Sequence, residues 1–67
     1  MNFESKIETA FLTSLLNNKA KVIIYLINGV KLDGKIIDYD MNCLILERFD
    51  HSQLVFLHAI ATICPVR

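Results

Sequence analysis

Surplus charge is the first thing that this sequence lacks. Seven lysine and arginine residues are matched by seven aspartate and glutamate residues, so the formal net charge is +0 and the pI is near 6.7. A neutral molecule has no long-range field that attracts a polyanion from solution. Any binding of nucleic acid must therefore depend on local groups.

Long hydrophobic runs are also missing. The longest, residues 22–27, has six residues, whereas a helix that crosses a bilayer needs about 20. The first five residues contain no basic stretch followed by an apolar one, which an export signal requires. We therefore predict a cytoplasmic protein with no membrane partner.

Cysteine is scarce, since Cys43 and Cys64 are the only two and form no C-x-x-C pair. Reduced, buried thiols are therefore favoured over a disulfide. A zinc site that combined them with His51 and His58 would lack the paired short spacings of such sites. No nucleophile or general acid lies beside His58 at a recognisable spacing, so a small metallohydrolase is the weakest functional reading. We predict no catalysis, metal, cofactor or small-molecule substrate.

Apolar residues are abundant. They make up 54% of the 67 residues and charged residues only 21%, a balance that excludes an intrinsically disordered chain. The length predicts one small domain over residues 1–67. A domain of this size buries only about 60% of the surface of its unfolded chain, so self-association is expected to supply part of its stability.

The N-terminal segment predicts a helix over about residues 5–18. Its apolar residues recur at intervals of three and four, which places them on one helix face that must dock on a sheet. They are Ile7, Ala10, Phe11 and Leu15, with Leu12 and Leu16 on the flank. Ser5 and Glu8 form the S-x-x-E pattern of a capping box.

The rest of the chain, about residues 21–65, predicts five short antiparallel strands in a strongly bent, open barrel. The predicted strands cover residues 22–27, 30–36, 43–48, 53–57 and 61–64, with connections at 38–42 and 49–52. Asn28-Gly29 is a typical hairpin turn, and Gly34 indicates a bend or bulge. In the second strand, Val30, Leu32 and Ile36 alternate with charged residues and are expected to face inward.

Two apolar segments, residues 54–57 and 60–63, carry no charge and no proline. At a free sheet edge they would expose unpaired backbone groups, which natural monomers avoid. Pairing of one edge with the other edge of a neighbouring copy is head-to-tail and closes into a ring at a suitable angle. We therefore predict a closed homo-oligomer.

Several stretches resemble the two Sm motifs of Hfq, the bacterial Sm-like RNA chaperone family. They are Y-L-I-N-G-V-K-L-D-G-K-I at residues 25–36, Asp40, L-I-L at 44–46 and F-L-H-A-I-A-T at 56–62. The similarity spans residues 11–65 and includes Phe11-Leu12 in the helix. It implies an Sm-type open barrel, a homohexameric ring, and binding of single-stranded RNA that promotes pairing of small regulatory RNAs with messages.

The resemblance implies a purine face formed by Tyr25, Gly29, Val30, Lys31, Leu32, Gln53 and Thr62. From the residues alone, Tyr25 fits equally a strand aromatic that fills the barrel and a platform on which a base stacks. Asp33 stands where the family often has glutamine, so the fine base preference is left open.

The resemblance also implies a pore face for uridines, formed here by Glu8, Met41, Asn42, Leu57 and His58. Leu57 replaces the lysine that precedes the family's histidine, Met41 and Asn42 supply no stacking aromatic, and Glu8 replaces a glutamine. Each change removes or opposes a contact with RNA. Uridine binding at the pore is expected to be weaker than in the family, or altered.

The rim implied by the resemblance comprises Asn17, Lys19 and Lys21 here, where many members carry an arginine patch. Lysine contacts phosphate as a flexible point charge without the bidentate fork of arginine. RNA annealing is therefore expected to be poor. Two functions stay open, an Hfq-like RNA-binding ring and a structural Sm-like oligomer with weak or altered RNA binding.

Overall fold

A computed structural model describes residues 6–66. One helix precedes five strands that form a single antiparallel sheet in the order β4-β3-β2-β1-β5. The elements are α1 (Lys6–Asn17), β1 (Lys21–Leu26), β2 (Lys31–Tyr39), β3 (Cys43–Arg48), β4 (His51–Phe56), a single 3-10 turn (Leu57–Ala59) and β5 (Ile60–Val66). The predicted fold class, a helix followed by a five-stranded antiparallel sheet, is confirmed.

The sheet must curl, because the short 3-10 turn joins its two opposite edges, β4 and β5. In a flat sheet, four interstrand spacings would separate these edges by about 19 Å. The four residue steps from Phe56 to Ile60 span at most about 14 Å when fully extended. The bend predicted from the sequence follows directly from this short connection.

The core lies between α1 and the inner face of the curled sheet. It contains aliphatic side chains from the helix and from β1 to β4, which are Leu12, Leu15, Val22, Ile24, Ile36, Leu44, Leu46 and Val55. In β1, the inward Val22 and Ile24 alternate with the exposed Lys21 and Tyr25. The side chain of Tyr25 therefore does not fill the barrel.

The buried face of the helix is only partly the predicted one, since Leu15 is buried as predicted but Leu12 of the predicted flank takes the place of Ile7 and Phe11. Leu12 and Leu15 are its buried residues, whereas Ile7 and Phe11 are 82% and 41% exposed. The apolar face of α1 is wider than the surface that the sheet of the same chain covers. Leu12, predicted at the flank of this face, therefore lies at the centre of the contact between helix and sheet. Ser5, the first residue of the predicted capping box, lies outside the described residues.

A hydrogen bond between the Thr13 and Tyr39 hydroxyls ties α1 to the end of β2. Both side chains are partly buried, so the bond fixes the helix over one end of the sheet. Over residues 6–66, no helix combines the length and apolar character that a membrane-spanning segment needs.

The second strand differs from its prediction in three ways. It continues to Tyr39, so residues 38 and 39 belong to the strand and not to the connection. Its irregularity falls between Ile36 and Asp38, while Gly34 stays in register opposite Val22. Val30 lies outside the strand and is 46% exposed, because it belongs to the hairpin tip and not to the inward row.

The other strand ends also moved. His51 belongs to β4 and pairs with Arg48, so the turn before it is tight and Phe49 takes a positive φ of 55°. Leu57 leaves the sheet, and its N–H donates to the carbonyl oxygen of Asn42 at 2.9 Å. The last strand runs past Pro65, which is tolerated because β5 is an edge strand.

Candidate nucleic-acid interface

The exposed end of β1 brings three predicted RNA-binding residues into one row. Tyr25 lies opposite Lys31 of β2 on one side and opposite Thr62 of β5 on the other. All three are exposed, and side chains of directly opposed residues share one sheet face at about 5 Å between their Cβ atoms. The row offers an aromatic ring with an ammonium group on one side and a hydroxyl group on the other.

The hairpin tip that carries Gly29 and Val30 borders this row. The Leu26 N–H donates to the Val30 carbonyl at 2.8 Å, and the Asn28 Oδ1 accepts from the Val30 N–H at 3.0 Å. Gly29 has a φ of +91°, and a Cβ at this position would meet nothing within 4 Å. The backbone of the tip is therefore ordered by its own hydrogen bonds and open to a ligand.

Gln53 and Leu32, the remaining predicted residues of the purine face, lie in a neighbouring depression. The depression is lined by Lys31, Leu32, Asp33, Arg48, Phe49, His51 and Gln53. Lys31 thus belongs both to the row and to the depression. The seven predicted residues of the purine face are therefore divided among the row, the hairpin tip and this depression, and Lys31 connects the row with the depression.

Sequence reasoning missed Arg48, Phe49 and His51, which surround Gln53 in this depression. The Arg48 Nε lies 3.3 Å from the Asp33 Oδ1, so the carboxylate that departs from the family pattern is paired with a cation. Both side chains are about half exposed, so the pair is worth little in stability. The ion pair matters for the local charge, because Arg48 offsets the negative charge of Asp33 beside the row.

The residues of the predicted pore face also meet. Glu8, Met41 and Leu57 line one depression together with Thr9, Leu12, Tyr39 and Asp40. Asn42 is joined to Leu57 by the backbone hydrogen bond described above. The exposed His58 follows Leu57, and its ring centroid is 5.7 Å from that of Phe56.

Asp40 supplies a fixed negative charge beside this depression. Its Oδ1 accepts from the N–H groups of Asn42 at 2.8 Å and Cys43 at 3.0 Å, and these bonds hold the pKa of Asp40 below its ordinary value. Burial and the charge of Asp40 raise the pKa of the Cys43 thiol. The carboxylate of Asp40 therefore opposes a phosphate at this depression.

The depressed pKa of Asp40 allows a test of the hydrogen bonds that its carboxylate accepts from Asn42 and Cys43. Its contribution to stability is present above the ordinary carboxyl pKa of 3.8 and is lost as the pH falls through the lower value in the folded chain. The free energy of unfolding of the native chain minus that of Asp40→Asn should therefore shrink between neutral pH and about pH 3. Urea unfolding of both chains measures this difference, and a constant difference would contradict the assignment.

The predicted rim residues lie at the end of α1 and the start of β1. Lys19 has a positive φ of 50°, and the N–H groups of Lys19 and Ala20 donate to the last helical carbonyls at 3.2 and 3.1 Å. Asn17, Lys19 and Lys21 are all exposed. They offer two cations beside a helix end but no arginine.

The zinc alternative finds no support in the part of the chain that the structure describes. Within residues 6–66, no group of three histidine, cysteine or acidic side chains is close enough to hold a metal ion. Cys43 and Cys64 are half-buried free thiols. They lie on β3 and β5, which are not neighbours in the sheet.

Known proteins resemble this chain over most of its length. A family model described as Hfq protein matches residues 7–67. The RNA-binding protein Hfq of Brucella ovis is 48% identical over 59 residues, which cover 88% of this chain and 76% of that protein. The same protein of Brucella abortus strain S19 gives the same figures.

Two solved structures share the fold. A 1.55 Å crystal structure of the pleiotropic translational regulator Hfq superposes with a TM-score of 0.85 at 27% identity, covering 88% of this chain and 98% of that one. The Hfq protein from Anabaena sp. gives a TM-score of 0.84 at 26% identity, covering 92% and 100%. The helix and the curled antiparallel sheet are therefore those of solved Hfq structures.

Proposed function

Since this chain belongs to the Hfq family, we propose that it is a cytoplasmic, non-enzymatic protein that binds purine-rich single-stranded RNA as a homohexameric ring. Through that binding it supports the pairing of small regulatory RNAs with messages. The observation that carries the proposal is the exposed row of Lys31, Tyr25 and Thr62. The curated relatives named above as RNA-binding proteins support it.

The row has the chemistry that single-stranded RNA requires. A base stacked on an aromatic side chain contributes about 1 to 3 kcal/mol, and Lys31 adds a cation for the phosphate. The amide of Gln53 can both donate to and accept from the edge of an adenine. In a ring, the site recurs in each subunit, so the avidity of a long strand can exceed single-site affinity by about 10² to 10⁴. A neutral protein can bind RNA in this way.

The two RNA-binding faces are expected to be unequal. The pore face contains Glu8, Asp40 and Leu57 where a phosphate or uridine would need a cation, whereas the purine face keeps Tyr25 and Lys31. Gel-shift titrations with oligo-A, oligo-U and oligo-C at a stated salt concentration test the proposal. Oligo-A should bind most tightly, and a tighter oligo-U would reverse the assignment of faces.

A ring accounts for the edge strands. In the sheet formed by residues 21–66, β4 and β5 each have one neighbouring strand. On β4, the side chains of Leu54 and Phe56 are 56% and 53% exposed. An apolar depression between α1 and β5 is lined by Phe11, Ile60 and Ile63 among others. Edge pairing between copies would cover these apolar surfaces.

Placing two lysines on the β4 edge is expected to prevent assembly. Leu54→Lys combined with Phe56→Lys should reduce the mass measured by light scattering from that of a closed oligomer to that of a monomer, since charged edges block strand pairing. Ile37→Lys is the control, because Ile37 is also exposed (43%) but lies on the interior strand β2. A monomeric mass for the native chain at micromolar concentration would refute the ring.

The second candidate is a structural Sm-like oligomer with little affinity for RNA. The zero net charge and the acidic pore face favour it. The same titrations separate the two functions. An intact oligomer that binds none of the three oligonucleotides would establish the structural role.

A further inference from the structure

The exposed ring of Phe49 is not explained by the fold or by the purine face. Phe49 is 85% exposed and has a φ of 55°, a backbone conformation that a bulky residue rarely adopts and that folding alone does not favour. Strained positions of this kind are retained mainly at functional sites. The ring stands in the turn between β3 and β4, next to Gln53 in the depression described above.

The guanidinium group of Arg48 lies beside the aromatic ring of Phe49. The Arg48 Cζ lies 5.1 Å from the centroid of the Phe49 ring, which is cation-π distance. The same guanidinium group lies beside Asp33, so it contacts both the aromatic ring and the carboxylate. Arg48 thus holds a positive charge at the ring and at the same time offsets the nearby carboxylate.

Lys31 connects this turn to the row. It is opposite Tyr25 in the sheet and also lines the depression that contains Phe49 and Arg48. A strand of RNA whose base stacks on Tyr25 would therefore pass its phosphate near Lys31 toward the turn. An aromatic face, two cations and an amide then line the path of the next nucleotide.

We propose that Phe49 and Arg48 form an additional base-stacking subsite at the outer border of the purine face. The subsite takes a flanking nucleotide of the same RNA strand, with its base on Phe49 and its phosphate on Lys31 and Arg48. A protein partner fits less well, because an apolar surface laid over Phe49 would also desolvate Arg48, Lys31 and Asp33. The subsite rests on the proposed binding of RNA and extends it.

Tryptophan fluorescence can observe the stacking directly, since the sequence contains no tryptophan. Phe49→Trp should show saturable quenching by oligo-A, with the midpoint found by gel shift. Ile7→Trp is the matched control, because Ile7 is 82% exposed on α1 and does not line the depression that contains Phe49 and Gln53. Its emission should not change.

Stability and affinity should respond to Phe49 in opposite directions. Phe49→Gly removes the strained conformation and should raise the thermal midpoint by a few degrees. It should also weaken oligo-A binding about fivefold or more, through loss of one stacked base. Phe49→Tyr should keep the affinity. A misfolded variant cannot produce this combination.

The outcomes separate the subsite from the proposed function. If the native chain binds oligo-A while Phe49→Trp is not quenched and Phe49→Gly binds normally, only the subsite is overturned. If the native chain binds no oligo-A, both are overturned. A shift of Phe49→Trp emission with protein concentration alone, without an effect of oligo-A, would show that the ring contacts protein and would also overturn the subsite.

Discussion

Replacing Tyr25 by alanine is expected to lower the affinity for oligo-A at least tenfold while oligo-U binding changes little. Tyr25 is the aromatic ring of the exposed row, between Lys31 and Thr62. Loss of about 1 to 3 kcal/mol for one stacked base already corresponds to about 5- to 150-fold. In a ring the loss recurs in each subunit that the strand contacts, so the effect grows with the length of the RNA.

Two comparisons make this expectation specific. Tyr25→Phe keeps the aromatic side chain and should keep most of the affinity for oligo-A, which separates stacking from any role of the hydroxyl group. Titration with oligo-U, together with a His58→Ala variant, reports on the pore face. If oligo-U proves the tighter ligand, is lost in His58→Ala and is unaffected by Tyr25→Ala, then the pore face is the principal site.

The position of Tyr25 could be predicted from the sequence only in part. Residues 22–27 are apolar throughout, so they predict a strand but not which side chains face inward, and only the structure shows that Val22 and Ile24 are buried while Tyr25 is exposed. Which neighbours Tyr25 meets depends on the registers with β2 and β5, and the partner on β5 lies far along the chain. Asn28-Gly29 fixes the first register through the hairpin turn, but no local signal fixes the second.

Other features depended on long-range packing and could not be read from the sequence. The helix presents Leu12 and not Phe11 to the core. The apolar residues of a helix show roughly which side is buried, but which of them are covered depends on how the helix packs on the sheet. The pairing of Arg48 with Asp33 joins β3 to β2, and it depends on the register between these two strands. The turn between β3 and β4 was also predicted two residues too long, which left His51 outside the strand that carries Gln53.

The charge around the purine face also follows from these registers. Asp33 alone would oppose a phosphate beside Tyr25, but the guanidinium group of Arg48 lies 3.3 Å from its carboxylate. At the pore face, the carboxylate of Asp40 accepts from two backbone N–H groups and keeps its negative charge beside the depression. The neutral total charge thus conceals a local difference between the two faces, and this difference favours the purine face for RNA.

Replacing Gly34 by alanine is expected to remove most of the stability of the fold. A Cβ at this position would lie 2.4 Å from the backbone carbonyl oxygen of Glu47 in the neighbouring strand, and the φ of +152° is unfavourable for any other residue. A backbone oxygen cannot rotate away as a side chain can, so β2 and β3 would have to separate. Strain and overpacking together should cost about 3 kcal/mol or more, against a total of about 3 to 10 kcal/mol for a chain of this length.

Gly29→Ala is the matched control for this loss. Its φ is also positive, at +91°, but a Cβ there would meet nothing within 4 Å. Only the backbone penalty of about 1 to 2 kcal/mol is therefore expected. Urea unfolding of the two variants at equal protein concentration measures the difference, because assembly makes stability depend on concentration. Equal unfolding midpoints for Gly34→Ala and Gly29→Ala would show that β2 and β3 can move apart without cost, and would contradict the expected loss of stability.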